Sequence, residues 1–306
     1  MSKNPDSRTS SFSPSRHHPA KPEGATHLKL GLIGDNIAQS KAPILHGIAG
    51  RLANLTISYE RLVPRELGIS FDETIAGCAA NGFRGLNITY PYKEVAARRV
   101  EIGDPVVQAM GAINTVVFEP SGPAGFNTDY SGMIAAYRGV RGDRAAGRVC
   151  MIGAGGVGKA IAFALLKLGL EALWIVDQDR TKAEDLAERL IAVSPGLQVT
   201  VLEDTAAIAA QVDGLVNCTP VGMVGHEGTP LPRAQMRHGQ WAFDAVYTPV
   251  ETRFIADALA EGLTVISGYE LFFHQGVDAW QLFAGRPVDT GQLRRLLTKS
   301  ESGLQS

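Results

Sequence analysis

The stretch that most constrains this chain is GAGGVGKA, residues 153–160, set between the apolar runs RVCMI and IAFALLKLGL. A buried strand that passes through a glycine turn into an apolar helix is a βα unit. Its glycines at 153, 155 and 158 fall in the G-x-G-x-x-G pattern. Gly153 permits the tight turn, Gly155 lets backbone approach a pyrophosphate, and Gly158 lets the helix pack closely on the strand. The helix N-terminus adds unpaired N–H groups and the positive end of a dipole. Gly153, Ala154, Gly155, Gly156, Val157 and Gly158 are therefore the candidate dinucleotide contacts. The next strand, ALWIVD, ends on Asp177. An acid there accepts hydrogen bonds from ribose hydroxyls and repels a 2′-phosphate. Asp179 adds to the repulsion, although Arg180 is near enough in sequence to receive a phosphate. NAD is favoured over NADP. A competing reading makes Asp177 only the cap of the following helix.

This unit opens a series. RTKAEDLAERLIAV reads as a helix, and LQVTVL, GLVNCT, WAFDAVY and LTVISG as further strands, with a last helical region from about Tyr269 to Lys299. An earlier series precedes it. LKLGLIG, ISYERLVP and RGLNITY read as strands, APILHGIAGRLAN and ISFDETIAGCAA as helices, and PSGPAG as the turn of a hairpin. Alternating strands and helices predict a mostly parallel sheet covered on both faces. Two such series in 306 residues predict an α/β protein of two domains.

The net charge of −2 gives no basic excess for nucleic acid or an anionic membrane. Cys78, Cys150 and Cys218 stand far apart without CxxC spacing, so neither a disulfide framework nor a metal site is expected. That cysteine usage fits a reducing compartment, and a cytoplasmic location is expected. Residues 1–26, rich in Ser, Pro and charge and with no apolar h-region, are expected to be a disordered tail. No membrane span is expected, because AIAFALLKLGLEALWIV is short and broken by Lys167 and Glu171. A monomer or a homodimer is expected.

Polar residues recur at the carboxyl ends of the first-half strands, in QSKAP, NITYPYKE, GAINT and FNTD. Ligands of α/β sheets collect at these ends, and such a set suits a small polyhydroxylated substrate. Together with the glycine loop, these stretches resemble the shikimate/quinate dehydrogenase family. Ser40-Lys41-Ala42-Pro43, GFRGLNITYPYKE (82–94), GAINT (111–115), NTD (127–129), NCTPVGM (217–223), DAVYTPVETRF (244–254) and GYELFFHQG (268–276) match its motifs in order. The likeness covers residues 28 to about 285.

The resemblance implies a substrate domain of residues 27–128 plus 269–306, with the C-terminal helices returning to it. Residues 129–268 would form a Rossmann NAD-binding domain. It implies Lys93 and Asp129 as the catalytic pair, and Ser40 and Tyr247 as carboxylate or ring contacts. Asn87, Thr89, Asn114 and Gln275 would be ligands of substrate hydroxyls. Thr219 and Gly268 would lie at the cofactor, with Gly268 beside the nicotinamide. The activity implied is NAD-dependent interconversion of shikimate or quinate and its 3-dehydro ketone. A lysine withdrawn from water can act as base, and an adjacent carboxylate would hold its geometry. Which of the pair moves the proton stays open, because a coupled pair titrates as a unit.

Two departures stand out. Ala42 replaces the family's second loop hydroxyl, removing a hydrogen bond to a carboxylate. The Asn-Arg-Thr stretch of NADP-using members is Asp177-Gln178-Asp179 here. Two alternatives follow: a member acting on an amino- or otherwise substituted cyclohexene carboxylate, or a non-catalytic sensor of cofactor and metabolite. His46 and His274 read as satisfied helix histidines, and Cys150, Trp174 and Trp280 as core.

Overall fold

The computed structural model describes residues 26–302 apart from Ala207, Ala209 and Ala210, and, before them, Pro19 and Gly24. The expected disordered tail lies almost wholly outside the described residues.

The first series folds as β1 (His27–Ile33), α1 (Ala42–Leu52), β2 (Thr56–Leu62), α2 (Pro64–Leu67), α3 (Phe71–Ala80), β3 (Gly85–Ile88), α4 (Lys93–Ala97), α5 (Pro105–Met110), β4 (Thr115–Glu119) and β5 (Gly122–Phe126). Its sheet runs β2-β1-β3-β4-β5. β1 pairs in parallel with β2 and β3, while β4 is antiparallel to both neighbours, so β4 alone runs against the other four. The expected hairpin is β4–β5. Local chemistry fixes several boundaries. Ser70 and Glu73 form a reciprocal capping box on α3, and Asp104 caps α5 ahead of Pro105.

A bridging helix, α6 (Thr128–Arg141), follows. The second series is β6 (Gly147–Ile152), α7 (Gly156–Lys167), β7 (Leu170–Val176), α8 (Arg180–Val193), β8 (Gln198–Leu202), β9 (Gly214–Asn217), β10 (Trp241–Asp244), α9 (Arg253–Ala260) and β11 (Thr264–Ile266). Its sheet is parallel throughout, in the order β11-β10-β9-β6-β7-β8. That is the Rossmann order, with its switch point between β6 and β9. The expected C-terminal helical region is two helices, α10 (Gly268–Ala284) and α11 (Thr290–Ser302).

The last two helices pack back onto the first series. Phe272, Phe273, Trp280, Phe283, Leu293 and Leu297 are buried with Leu28, Leu30, Leu45 and Ile48 of β1 and α1. A separate core lies between the second sheet and α6, α7 and α8, built on Phe163, Leu173, Ile175 and Trp241. The expected boundary at residue 128/129 falls in the first turn of α6, which packs against both α10 and α7. Cys150 is buried in β6, where burial pushes its thiol up to about 12. Trp280 is fully buried, and Trp174 is partly buried against the cluster around Phe254. Among the described residues, no helix is long and apolar enough to cross a membrane.

The seam between α10 and the first sheet is tight at Gly85, where an added Cβ would lie 2.4 Å from Phe283 Cε1 and 2.7 Å from Val116 O. Gly85→Ala is therefore expected to cost roughly 1–3 kcal/mol by overpacking. The urea midpoint measures it, and an unchanged midpoint would show that the seam yields.

Candidate active site

The segments that follow β3 and β6 meet, since a Cβ on Gly156 would lie 3.0 Å from Lys93 Cβ, and the candidate cleft is built around this contact. On the nucleotide side, Gly153 turns at φ +101° and its missing Cβ would meet Cys218 backbone at 2.7 Å. A Cβ on Gly158 would stand 2.2 Å from Gly153 O, so this glycine lets α7 close on β6. A Cβ on Gly155 would meet nothing within 4 Å. The loop is thus crowded where it turns and open where a pyrophosphate would approach, and α7 begins directly behind it. These residues fit a dinucleotide.

Asp177, just past the end of β7, meets the loop. Its Oδ2 accepts from Ala154 N at 2.6 Å and its Oδ1 from Asp179 N at 2.8 Å. Each carboxylate oxygen keeps a second lone pair. The cap of α8 is Asp179, which accepts from Thr181 N, so the capping alternative for Asp177 does not hold. Thr219 donates to Asn217 Oδ1 at 2.7 Å and accepts from Val221 N at 3.2 Å. Asn217 in turn donates to Asp244 Oδ1 at 2.9 Å. Asp244 is wholly buried; burial raises its pKa, against hydrogen bonds from Thr252, Val246 and Asn217. This knot fixes the start of the loop that carries Tyr247. Gly268 abuts the same loop, since its Cβ would lie 2.5 Å from Val246 O.

On the other side, Lys93 opens α4 after the cis Tyr90-Pro91 bond. Its carbonyl accepts from Ile113 N at 3.0 Å. Its Nζ donates to Asp129 Oδ2 at 2.5 Å, and both residues are buried, at 8% and 6% exposure. Asp129 comes from the first turn of α6, whose cap is Asn127. Beside the pair, Asn114 donates to Thr128 Oγ1 at 3.0 Å and accepts from Thr128 N at 2.7 Å, and Thr128 Oγ1 reaches Gln275 Oε1 at 3.4 Å. Tyr59 donates to Asn87 Oδ1 at 2.8 Å. Tyr247, its hydroxyl pushed up by burial, hydrogen-bonds with Ser40, whose Oγ also accepts from Ala42 N at 3.3 Å. Thr89 stands at the end of β3 and turns its methyl toward Gly34.

Lys93 pairs with Asp129, whose neighbour Thr128 links Asn114 to Gln275, while Ser40 pairs with Tyr247 and Asn87 is held by Tyr59 and His46. Sequence reading did not find Tyr59 or Thr128. Thr128 stands inside the matched NTD triplet, but nothing local marks Tyr59. His46 proves not to be fully satisfied. It is buried, stacks on Tyr59 with centroids 5.4 Å apart and hydrogen-bonds with Asn87, while its Nδ1 has no partner among the described residues. His274 lies 3.7 Å from Glu270 on α10.

A family model for the shikimate dehydrogenase substrate binding domain matches residues 32–116, and one for shikimate / quinate 5-dehydrogenase matches residues 138–223. A shikimate dehydrogenase (NADP(+)) of Pseudarthrobacter chlorophenolicus is 36% identical over 271 residues, spanning 87% of this chain and 92% of the relative. The chain belongs to the shikimate/quinate dehydrogenase family. A quinate/shikimate dehydrogenase (NAD(+)) of Corynebacterium efficiens is 35% identical over 274 residues, covering 87% of this chain and 95% of the relative. Among solved structures, quinate dehydrogenase from Corynebacterium glutamicum in complex with NAD superposes with a TM-score of 0.82 at 31% identity, over 89% of this chain and 99% of that one. Shikimate 5-dehydrogenase from Thermus thermophilus, in complex with NADP(H) and shikimate, gives 0.76 at 33% identity over the same shares. The α/β fold with a Rossmann-like unit beside a substrate-binding unit is common to these relatives.

His46 carries a measurable signature. Burial lowers its pKa from 6.5 to about 4, against a weaker opposing hydrogen bond with Asn87. Between those values the unfolded chain binds a proton that the folded chain refuses. Stability is therefore unaffected by this group above pH 6.5 and falls as the pH drops toward 4, by about 3 kcal/mol in all. His46→Gln should flatten that part of the stability–pH curve. Parallel curves for the two proteins, from urea melts across the range, would refute the assignment.

Proposed function

We propose that the chain interconverts a hydroxylated cyclohexane or cyclohexene carboxylic acid, shikimate or quinate, with its 3-dehydro ketone, using NAD. The observation that carries this is the buried Lys93–Asp129 pair, set directly against the nucleotide loop. A Cβ on Gly156 would lie 3.0 Å from Lys93 Cβ. Proton-handling groups and cofactor loop therefore share one wall of the cleft.

When bound, the nicotinamide supplies the acceptor and donor of hydride. Gly153 to Gly158, Asp177, Thr219 and Gly268 would hold the cofactor. Lys93 and Asp129 hold and move the proton of the reacting hydroxyl. Asn114 and Gln275, locked together through Thr128, and Asn87, fixed by Tyr59, orient the remaining hydroxyls, with Thr89 at the strand end beside them. Ser40 and Tyr247 receive the carboxylate, and Ala42 leaves that corner one hydroxyl short. The intact Lys93–Asp129 pair favours an enzyme over a sensor. Residues 27–128 with 269–306 serve as the substrate domain and residues 129–268 as the cofactor domain.

The preference for NAD rests on charge at the end of β7, since the relatives divide between the two cofactors by name. Asp177 and Asp179 both repel a 2′-phosphate. The nearby cations are already engaged: Arg180 with Glu184 at 2.7 Å and Lys182 with Asp179 at 3.5 Å. These ion pairs are exposed and weak. A phosphate would nevertheless have to compete with carboxylates for each cation. Asp177→Asn with Gln178→Arg should swing the NADP/NAD ratio of kcat/KM upward by at least about tenfold, by removing a charge and adding a guanidinium. A wild type already preferring NADP would refute the reading.

Rates with shikimate and quinate against both cofactors test the activity directly, and failure of all four combinations would overturn the proposal. Lys93→Ala should lower kcat by roughly 10²–10⁴ with NAD binding retained. Asp129→Ala should also be slow, and the double variant little slower than the poorer single one. A Lys93→Ala enzyme keeping a tenth of its turnover would reduce this lysine to a substrate-positioning role.

A further inference from the structure

A second lysine is buried more deeply than Lys93. Lys159, on the second turn of α7, is 2% exposed. Its Nζ donates to Glu94 Oε2 at 2.9 Å and to Asp185 Oδ2 at 2.8 Å. Glu94 follows Lys93 on α4, whereas Asp185 belongs to α8. Asp185 is itself held by Arg189 Nε at 2.9 Å, and Arg189 Nη1 donates to Ala109 O of α5 at 3.1 Å. Burial raises the Asp185 pKa, but hydrogen bonds from Arg189 and Lys159 outweigh it and the net shift is downward. The network joins two elements of the first series, α4 and α5, to two of the second, α7 and α8.

A buried ammonium is tolerated only where carboxylates meet it. The Lys159–Glu94 bond thus ties α4 to α7, while Asp185 gives the ammonium a second carboxylate from α8. Gly156 lies three residues earlier on the same helix, hence on the same face. There a Cβ on Gly156 would lie 3.0 Å from Lys93 Cβ, so a methyl group would fit only if Lys93 gave way by a few tenths of an ångström. The short helix α4 is therefore held at two consecutive residues, by close contact at Lys93 and ionically at Glu94, from two positions one turn apart on α7.

We propose that Lys159 is a positioning residue for the reaction: by anchoring Glu94 to the helix of the nucleotide loop, it sets the place of Lys93 relative to the cofactor. It touches neither ligand. The inference rests on the function proposed above, and its test separates the two.

Lys159→Met should lower kcat by about 10- to 100-fold, the scale on which a displacement near 1 Å acts, with KM for acid and NAD within about threefold. Glu94→Gln, which leaves Lys159 its Asp185 partner, should act in the same direction. The double variant should be no slower than the poorer single one, because both remove one link. Lys159→Arg should recover most of the rate. Amide hydrogen exchange at Lys93–Ala97 should quicken in Lys159→Met and Glu94→Gln. If Lys159→Met does not fold, Glu94→Gln carries the same readings. A kcat within twofold of wild type, multiplicative losses, or unchanged exchange would each overturn the proposal. A wild type inactive on every acid would instead refute the proposed function, and exchange alone would then decide the anchoring.

Discussion

The close approach of α6 and α10 holds this molecule together. An added Cβ on Gly132 would stand 2.8 Å from Gln275 N, so the two helices meet nearly backbone to backbone. Dispersion gains concentrate at such a contact. Ser131 of α6 also hydrogen-bonds to Asp278 of α10, close by. Helix α6 presents Asp129 and Thr128 from its first turn, while α10 presents Gly268 at its start and Gln275 in its middle. One helix pair thus sets the distance between the residue beside the proposed nicotinamide position and the groups proposed to bind and deprotonate the substrate. The same pair lets α10 and α11 cover α1 and β1, so the first sheet completes its core with residues from the far side of the second series.

What could be read from the sequence was local. The G-x-G-x-x-G turn is legible because each glycine answers a nearby steric demand: a positive φ at Gly153, a backbone oxygen 2.2 Å from any Cβ at Gly158, and open space at Gly155. Parallel strands are legible as apolar runs, and the hairpin by its PSGPAG turn. Helix α6 was not picked out, because Gly132 and Gly139 interrupt its apolar pattern. Gly132 serves an interhelical contact that periodicity along one helix does not encode, whereas a Cβ on Gly139 would meet nothing within 4 Å. The same limit hid Tyr59. It lies 28 residues before Asn87, and only the parallel pairing of β2, β1 and β3 brings them together. His46 was visible as a residue, but its stacking on Tyr59 and its unpartnered Nδ1 arise from burial that the sequence does not state.

Among the described residues, the buried lysines Lys93 and Lys159 differ in the number of carboxylates they meet. Lys159 has two carboxylates and Lys93 has one. An ammonium has three donors. Lys159, at 2% exposure, lies between Glu94 and Asp185, and Asp185 also receives Arg189, so the network pairs two basic side chains with two acidic ones. Lys93 and Asp129 form a neutral pair in sum. In the function proposed above, Lys93 and Asp129 would exchange one proton with the reacting hydroxyl, and the bound nicotinamide would supply or accept the hydride. Gly156 and Lys159, one turn apart on α7, meet neighbouring residues of α4, so the lysine that would exchange the proton is placed by the helix that begins at the nucleotide loop.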